Sequence, residues 1–296
     1  MKAVIPVAGL GTRMLPMTKA IPKEMLPIVD IPLIQYVINE VILAGIKEII
    51  LVISPGRNLI ENYFGGSPDL ESILEKGLKL DLLHKIRSLL PNDVKLIYAY
   101  QEEAKGLGHA ILCARSYIGD EPFAVLLPDV LVNQYESNLA VDNLAFMISR
   151  YEKEQVSLVM VERVPPYLVS KYGIVDCSIN NSLMPGETAR IYNLIEKPDI
   201  NDAPSNLAIV GRYVFSAKIL SILEKIQPGV ANEIQLTDAM TEFVKHETLA
   251  AYHLVGLSHD CGDKAGYVLA NIHYALRHAE IAETISKNIK QFNLLV

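Results

Sequence analysis

The sequence predicts an α/β protein: a Rossmann-like mixed, mainly parallel sheet flanked by helices, with further strands and C-terminal helices added in the second half. Three observations predict it. Apolar, β-branched runs alternate with helix-period patterns through the first half, the signature of strand–helix units on a parallel sheet. The first such run, Ala3 to Ala8, leads directly into a glycine turn, Gly9-Leu10-Gly11. A chain of 296 residues, 50% hydrophobic and 21% charged, is long enough to bury a large core.

In chain order, strands are expected at residues 3–8, 48–53, 94–100 and 123–127. Between the first two, Leu33 to Gly45 carries apolar residues at every third or fourth position and ends on a glycine suited to a helix C-cap. That pattern predicts a helix covering the sheet. Residues 67–90 read as helical and charged, an excursion long enough for an inserted subdomain. The second half is less regular, with a strand near 157–162, a break at Pro165-Pro166, a polar stretch over 178–188, and strands near 190–195 and 207–215. Helical patterns occupy about 217–225, 235–247 and 264–282. No repeat, low-complexity tract or linker interrupts the chain, so one domain over residues 1–296 is expected.

Composition excludes several functions. The formal net charge of -7 provides no basic field for a polyanion, so nucleic acid is not an expected partner. Any phosphate must then be held by a local cluster of donors. The longest runs free of Asp, Glu, Lys and Arg, at 248–259 and 265–276, are 12 residues. A membrane-spanning helix needs roughly 20, so no membrane span is expected. The apolar start of the chain is short and broken by Pro6, which reads as a buried strand and not a signal segment. Cys113, Cys177 and Cys261 lack paired spacing, which fits a reducing, cytoplasmic setting. The seven histidines, at 84, 109, 246, 253, 259, 273 and 278, show no metal-ligand spacing and read as structural or surface residues.

The most informative string is Gly9-Leu10-Gly11-Thr12-Arg13, followed by Pro16, Lys19 and Pro22-Lys23-Glu24-Met25-Leu26-Pro27. Glycines after a buried strand let backbone N–H groups approach an anion, and a nucleotide phosphate is the natural guest. A dinucleotide-binding turn would need a third glycine where Met14 stands, and an acidic residue about 20 positions beyond. Asp30, the nearby candidate, falls in a loop before the helix, and a GxxxxGK[ST] loop is absent. As a bare turn, the two glycines would only shape the backbone while Arg13, Lys19 and Lys23 stayed solvated. Three cations among three prolines instead make a preset cationic loop. Asp129 follows the strand Phe123 to Leu127 and Pro128, which puts a carboxylate at the carboxyl edge of a parallel sheet, where ligands gather. By itself an Asp there reads first as a turn or helix cap.

The chain resembles the nucleotidyltransferases that activate sugar 1-phosphates, and most closely the bacterial group that joins UTP to glucose 1-phosphate. The resemblance runs over nearly the whole chain. It is carried by Ala3 to Asp30, Gln101 with Ala104 to Ala110, Leu127-Pro128-Asp129-Val130, Tyr172 to Asp176, Ile195-Glu196-Lys197-Pro198, Pro204 to Tyr213, Asn232 to Asp238 and Ser258-His259-Asp260-Cys261-Gly262.

The resemblance implies a nucleotidyltransferase, glycosyltransferase-A-like version of the fold, with a nucleotide-binding half of about 1–135 and a sugar-binding, helical half of about 136–296. It implies attack by glucose 1-phosphate on the α-phosphorus of UTP, giving UDP-glucose and pyrophosphate. Arg13 and Lys23 are then expected on the triphosphate and Lys197 on the sugar-bearing phosphate. Asp129 and Asp260 are expected to hold Mg2+. Ala8, Gly9 and Gln101 resemble the uracil contacts, and Gly11, Thr12 and Glu24 join the substrate-binding set. A side chain at Gly106 or Gly108 is expected to crowd the base or ribose. Glu196 resembles the acceptor of glucose hydroxyls, Gly173 lets backbone approach the sugar, and Asn206 reaches its hydroxyls. Members of the family associate as homodimers or homotetramers, a use for the apolar tail Phe292 to Val296. Relatives using dTTP or another sugar 1-phosphate, and non-catalytic regulatory relatives, are the alternatives. The latter disturb the Thr-Arg pair, which is intact here as Thr12 and Arg13.

Overall fold

The computed structural model describes residues 1–56, 58–178, 183–229 and 232–291. Residues 179–182 of the expected polar stretch and the tail Phe292 to Val296 lie outside the described residues.

The chain starts with β1 (Lys2–Pro6), passes through 3-10 turns at Thr12–Met14, Met17–Lys19 and Lys23–Met25, and forms a small hairpin of β2 (Pro27–Ile28) and β3 (Ile31–Pro32). Helix α1 (Leu33–Leu43) then leads to β4 (Glu48–Ile53). Next come α2 (Leu59–Phe64), α3 (Pro68–Lys76), α4 (Leu80–Arg87), β5 (Lys95–Tyr100), α5 (Gly106–Cys113), α6 (Arg115–Ile118) and β6 (Phe123–Leu126). The second half contains β7 (Val130–Val132), α7 (Leu144–Glu154), β8 (Ser157–Arg163), β9 (Gly173–Asp176), β10 (Thr188–Arg190), β11 (Asn193–Glu196) and β12 (Leu207–Phe215). It closes with α8 (Lys218–Leu223), α9 (Leu236–Phe243), β13 (Leu249–His253), β14 (Ser258–Asp260), α10 (Lys264–Ala275) and α11 (Ala282–Gln291).

The main sheet has the order β10-β13-β8-β12-β6-β1-β4-β5, with β9 pairing β12 and β11 pairing β9. Strands β6, β1, β4 and β5 are mutually parallel, as the alternating sequence pattern requires. β12 enters antiparallel between β6 and β8 and joins the two halves. Strands buried on both faces read as continuous apolar runs. In β4, Ile50 and Val52 face the core shared with α5, α8 and α9, while Ile49, Leu51 and Ile53 face the core shared with α1 and α7. α1 ends as expected: Gly45 takes φ +88, and the Gly45 N–H donates to Ile42 O at 2.9 Å.

Several boundaries differ from expectation. The excursion at 67–90 is two helices, broken where Gly77 follows α3 and Leu78 turns left-handed at φ 52. Arg87 staples them, donating to Glu71 at 2.7 Å and Glu75 at 2.8 Å. The strand expected near 190–195 is two strands on different partners. Ile191 N–H donates to Leu249 O at 2.8 Å, and the next residue, Tyr192, donates to Asp176 O at 2.8 Å. The last helical pattern also divides. The buried stripe of α10 stops at Ala270 and Tyr274, and α11 buries no residue, so nothing apolar holds one long helix on course.

Candidate active site

The glycine turn lies at the carboxyl end of β1, on the edge toward which β4 and β6 also run. Gly11 adopts φ +64, a left-handed conformation that disfavours side chains, and caps the first 3-10 turn. Thr18 locks it, its hydroxyl donating to Gly11 O at 2.7 Å. A Cβ on Gly11 would stand only 3.0 Å from Thr18 Cγ2. Ala8 is buried, and its carbonyl accepts from Ser54 Oγ at 3.2 Å. Gly9 and Thr12 are exposed along the rim of the turn.

From this loop Arg13 and Lys23 reach two carboxylates that arrive from distant parts of the chain. Lys23 Nζ lies 2.5 Å from Asp129 Oδ2, and Arg13 Nη1 lies 3.4 Å from Asp260 Oδ2. Arg13 Nη2 is 3.9 Å from Asp129 Oδ2. Asp129 occupies the turn between β6 and β7, and Asp260 ends β14. Strands β7 and β14 pair Val130 with Asp260, and Cys261 N–H donates to Asp129 O at 2.8 Å, so the backbone fixes the two carboxylates beside each other.

Gly262, quoted in a sequence stretch but not singled out there, fits between them. A Cβ on it would fall 2.6 Å from Arg13 Nη2, 2.7 Å from Asp129 Oδ2 and 2.9 Å from Asp260 Oδ1. Its N–H donates to Asp260 Oδ1 at 2.9 Å. Beneath the cluster, Glu24 is fully buried, 4.0 Å from Lys23 Nζ. This residue of the expected substrate-binding set thus lies buried beneath the loop, beside Lys23.

The electrostatics follow from burial and pairing. Burial opposes the charge of Lys23, but Asp129 and Glu24 outweigh it and raise the ammonium above its ordinary pKa. Burial likewise opposes the Asp129 carboxylate, yet Lys23 holds it below the usual range. Asp260 moves the other way, raised by burial and then by the charge of Asp129. Two adjacent carboxylates that disfavour each other's charge, around a cradle a methyl group would fill, suit a small divalent cation completed by phosphate oxygens. Among the described residues no group of three or more His, Cys, Asp or Glu forms a metal cage, so protein donors alone do not complete such a site.

The second glycine turn packs against a later part of the chain. Gly106 takes φ +87, and a Cβ there would stand 2.9 Å from Glu233 Cβ; one on Gly108 would stand 2.7 Å from Ile234 O. The Glu233–Ile234 segment thus requires glycine at both positions. Gly108 N–H donates to Ile234 O, and Ile234 N–H to Lys105 O, each at 2.8 Å. Gln101 is buried behind this turn, donating to Gly106 O at 3.2 Å and facing His109 Nδ1 at 2.9 Å. His109 therefore touches a candidate base-binding side chain. Burial and then the charge of Lys105 lower its pKa, favouring the neutral ring that can accept from Gln101.

The residues expected at the sugar lie on another strand pair, where β9 and β11 set Gly173 against Glu196. Glu196 Oε2 accepts from Thr237 Oγ1 at 2.6 Å, and Oε1 lies 3.3 Å from Lys197 Nζ. A Cβ on Gly173 would meet Glu196 Oε2 at 3.1 Å, so this glycine makes room for the carboxylate. Lys197 sits at φ 45, sparse territory for a residue with a side chain, and its N–H donates to Tyr172 O at 3.0 Å. Thr237, at the start of α9, belongs to this group and was not singled out, since a helix-start threonine looks like a cap in sequence. Asn206 is anchored on both sides of its carboxamide: its oxygen accepts from Arg163 at 3.0 Å and its nitrogen donates to Val164 O at 3.1 Å.

The family model described as Nucleotidyl transferase matches residues 2–276. A UTP–glucose-1-phosphate uridylyltransferase from Haemophilus ducreyi is 54% identical over 291 residues, covering 98% of each chain. The UTP-bound UGPase from Acinetobacter baumannii superposes with a TM-score of 0.90 at 46% identity, covering 99% of both chains. A UDP-glucose pyrophosphorylase complexed with UDP-glucose superposes with a TM-score of 0.81 at 40% identity, covering 94% of this chain and 99% of that one.

Proposed function

The chain belongs to the nucleotidyl transferase family, and from that premise we infer that it transfers the uridylyl group of UTP to glucose 1-phosphate, releasing pyrophosphate and UDP-glucose. One observation carries the reading: Arg13 and Lys23 of the glycine loop converge on Asp129 and Asp260 at the carboxyl edge of the sheet. The reaction brings two anions together. A phosphate oxygen of the sugar forms a bond to the α-phosphorus as the bridging oxygen to the β-phosphate departs with pyrophosphate, so charge neutralisation and alignment dominate catalysis.

In this reading the fork of Arg13 takes phosphate oxygens of the transferring and leaving groups, which suits its five fixed donors. Lys23 assists on the triphosphate, kept protonated by Asp129 and Glu24. Asp129 and Asp260 would hold Mg2+, which when bound supplies positive charge against the phosphate oxygens. Gln101, with the backbone of Ala8 and Gly9, reads the uracil edge. Glu196 accepts from glucose hydroxyls, oriented by Thr237. Lys197 holds the sugar-bearing phosphate, its backbone turned out of the strand at φ 45.

Among the described residues no helix is long and apolar enough to cross a membrane. Cys113, Cys177 and Cys261 are free thiols, which supports residence in the reducing cytoplasm. Self-association remains part of the reading, with exposed Val268 and Leu269 on α10 as apolar surface for it.

Pyrophosphate release measured across triphosphate and sugar 1-phosphate pairs tests the substrate assignment. UTP with glucose 1-phosphate is expected to turn over fastest; preference for dTTP or galactose 1-phosphate would overturn it.

A further inference from the structure

We propose that Arg212, held by Glu40, is a positioning residue that fixes the turn carrying Asp129 and, through it, the spacing of Asp129 and Asp260. This rests on the reading that these two carboxylates hold the divalent cation. Arg212 is fully buried and Glu40 is 2% exposed. Arg212 Nε lies 3.0 Å from Glu40 Oε1, and Nη2 lies 2.7 Å from Glu40 Oε2, so one edge of the guanidinium is saturated by α1.

The remaining donors go to the site. Nη1 donates to Leu127 O at 3.0 Å, and Nη2 also donates to Val130 O at 2.8 Å. These carbonyls bracket Asp129. One grips the point where β6 ends, the other the point where β7 begins and pairs with Asp260. A strand irregularity aims the guanidinium there: the register of β12 against β8 shifts between Ile209 and Tyr213, and Gly211 takes φ +75. Gly211 also packs on the same turn, a Cβ on it standing 2.8 Å from Leu127 Cβ.

A guanidinium buried beside one carboxylate still has N–H groups that need partners. Arg212 satisfies them on the two carbonyls flanking the candidate metal ligand, which ties the ion pair to the turn that carries Asp129. Groups behind a metal ligand set its orientation, and losing them costs roughly 10–100-fold in metal affinity. The clamp also ties the turn to α1, which follows the β2–β3 hairpin after the loop that supplies Arg13 and Lys23.

The test compares the native chain, Asp129→Asn and Arg212→Lys, with Mn2+ as the probe. Binding is read from the free Mn2+ signal in electron paramagnetic resonance, alongside the half-activating Mg2+ concentration and KM for glucose 1-phosphate. A lysine keeps the charge beside Glu40 but cannot reach both carbonyls while paired. Arg212→Lys is expected to weaken Mn2+ binding and raise the half-activating Mg2+ concentration by roughly 10–100-fold. KM for glucose 1-phosphate, assigned to the β9–β11 pair, should stay within about twofold. Native Mn2+ affinity in Arg212→Lys, with binding lost in Asp129→Asn, overturns the clamp alone. Binding that survives Asp129→Asn overturns the metal reading and the clamp with it. Should Arg212→Lys fail to fold, the same measurements on Glu40→Leu/Arg212→Met decide, since that pair leaves no charge buried.

Discussion

Arg13 separates catalysis from stability most cleanly. Its side chain is 57% exposed and its contacts to the carboxylates are long, at 3.4 and 3.9 Å, so its ion pairs contribute at most about 1 kcal/mol to folding. Arg13→Ala should therefore melt close to the native protein while kcat falls by about 10²–10³-fold. A near-native rate would remove Arg13 from the transition state. Gly262 makes the complementary case, since it contributes by having no side chain. Gly262→Ala would place a methyl group within 3 Å of Arg13, Asp129 and Asp260. Circular dichroism should show a folded protein and an assay a large loss of turnover. Native turnover would mean the cluster relaxes freely and is not preset. Both residues stood in recognisable sequence stretches, but only Arg13 shows its chemistry by residue type. The value of Gly262 depends on what surrounds it.

At the scale of elements, the β9–β11 pair with the start of α9 builds the wall to which the proposed function assigns the sugar. Thr237→Val removes the 2.6 Å hydrogen bond that orients Glu196 while preserving shape. The loss of a hydrogen bond to a charged group, about 1.5–3 kcal/mol, should raise KM for glucose 1-phosphate at least tenfold and leave KM for UTP nearly unchanged. A shift confined to UTP would reassign this wall. The elements legible in the sequence are those whose burial is local and repetitive. β1 and β4 announce themselves as continuous apolar runs, and α1 by its apolar period and the glycine that ends it, Gly45. The change of partner between Ile191 and Tyr192 is not legible, because pairing with Leu249 and Asp176 is non-local. Gly106 and Gly108 were legible as places that require glycine, but their neighbour, Ile234, lies 126 positions or more away in sequence. The anchoring of Asn206 by Arg163 and Val164 is not legible for the same reason, since both partners lie more than 40 positions away. Arg212 and Glu40 look like surface charges until β12 and α1 bury them together.

At the scale of the molecule, a chain with net charge -7 sets Arg13 and Lys23 together at one sheet edge, where the proposed function places the anionic substrates. That edge is assembled from both halves: the glycine loop and Asp129 come from the first, Asp260 and the sugar wall from the second. The sheet crosses the same boundary, with β12 hydrogen-bonded to both β6 and β8. We expect calorimetry to show one unfolding transition whose calorimetric and van't Hoff enthalpies agree. Two resolved transitions would divide the chain into separate domains.

Phosphorus NMR of the purified protein with UTP, glucose 1-phosphate and Mg2+ tests most directly whether this cluster performs uridylyl transfer. UDP-glucose and pyrophosphate should appear in equal amounts, and both should form about 10²–10³-fold more slowly in Arg13→Ala under the same conditions. Orthophosphate in place of pyrophosphate, or UDP-glucose formed as fast by Arg13→Ala, would contradict that reading.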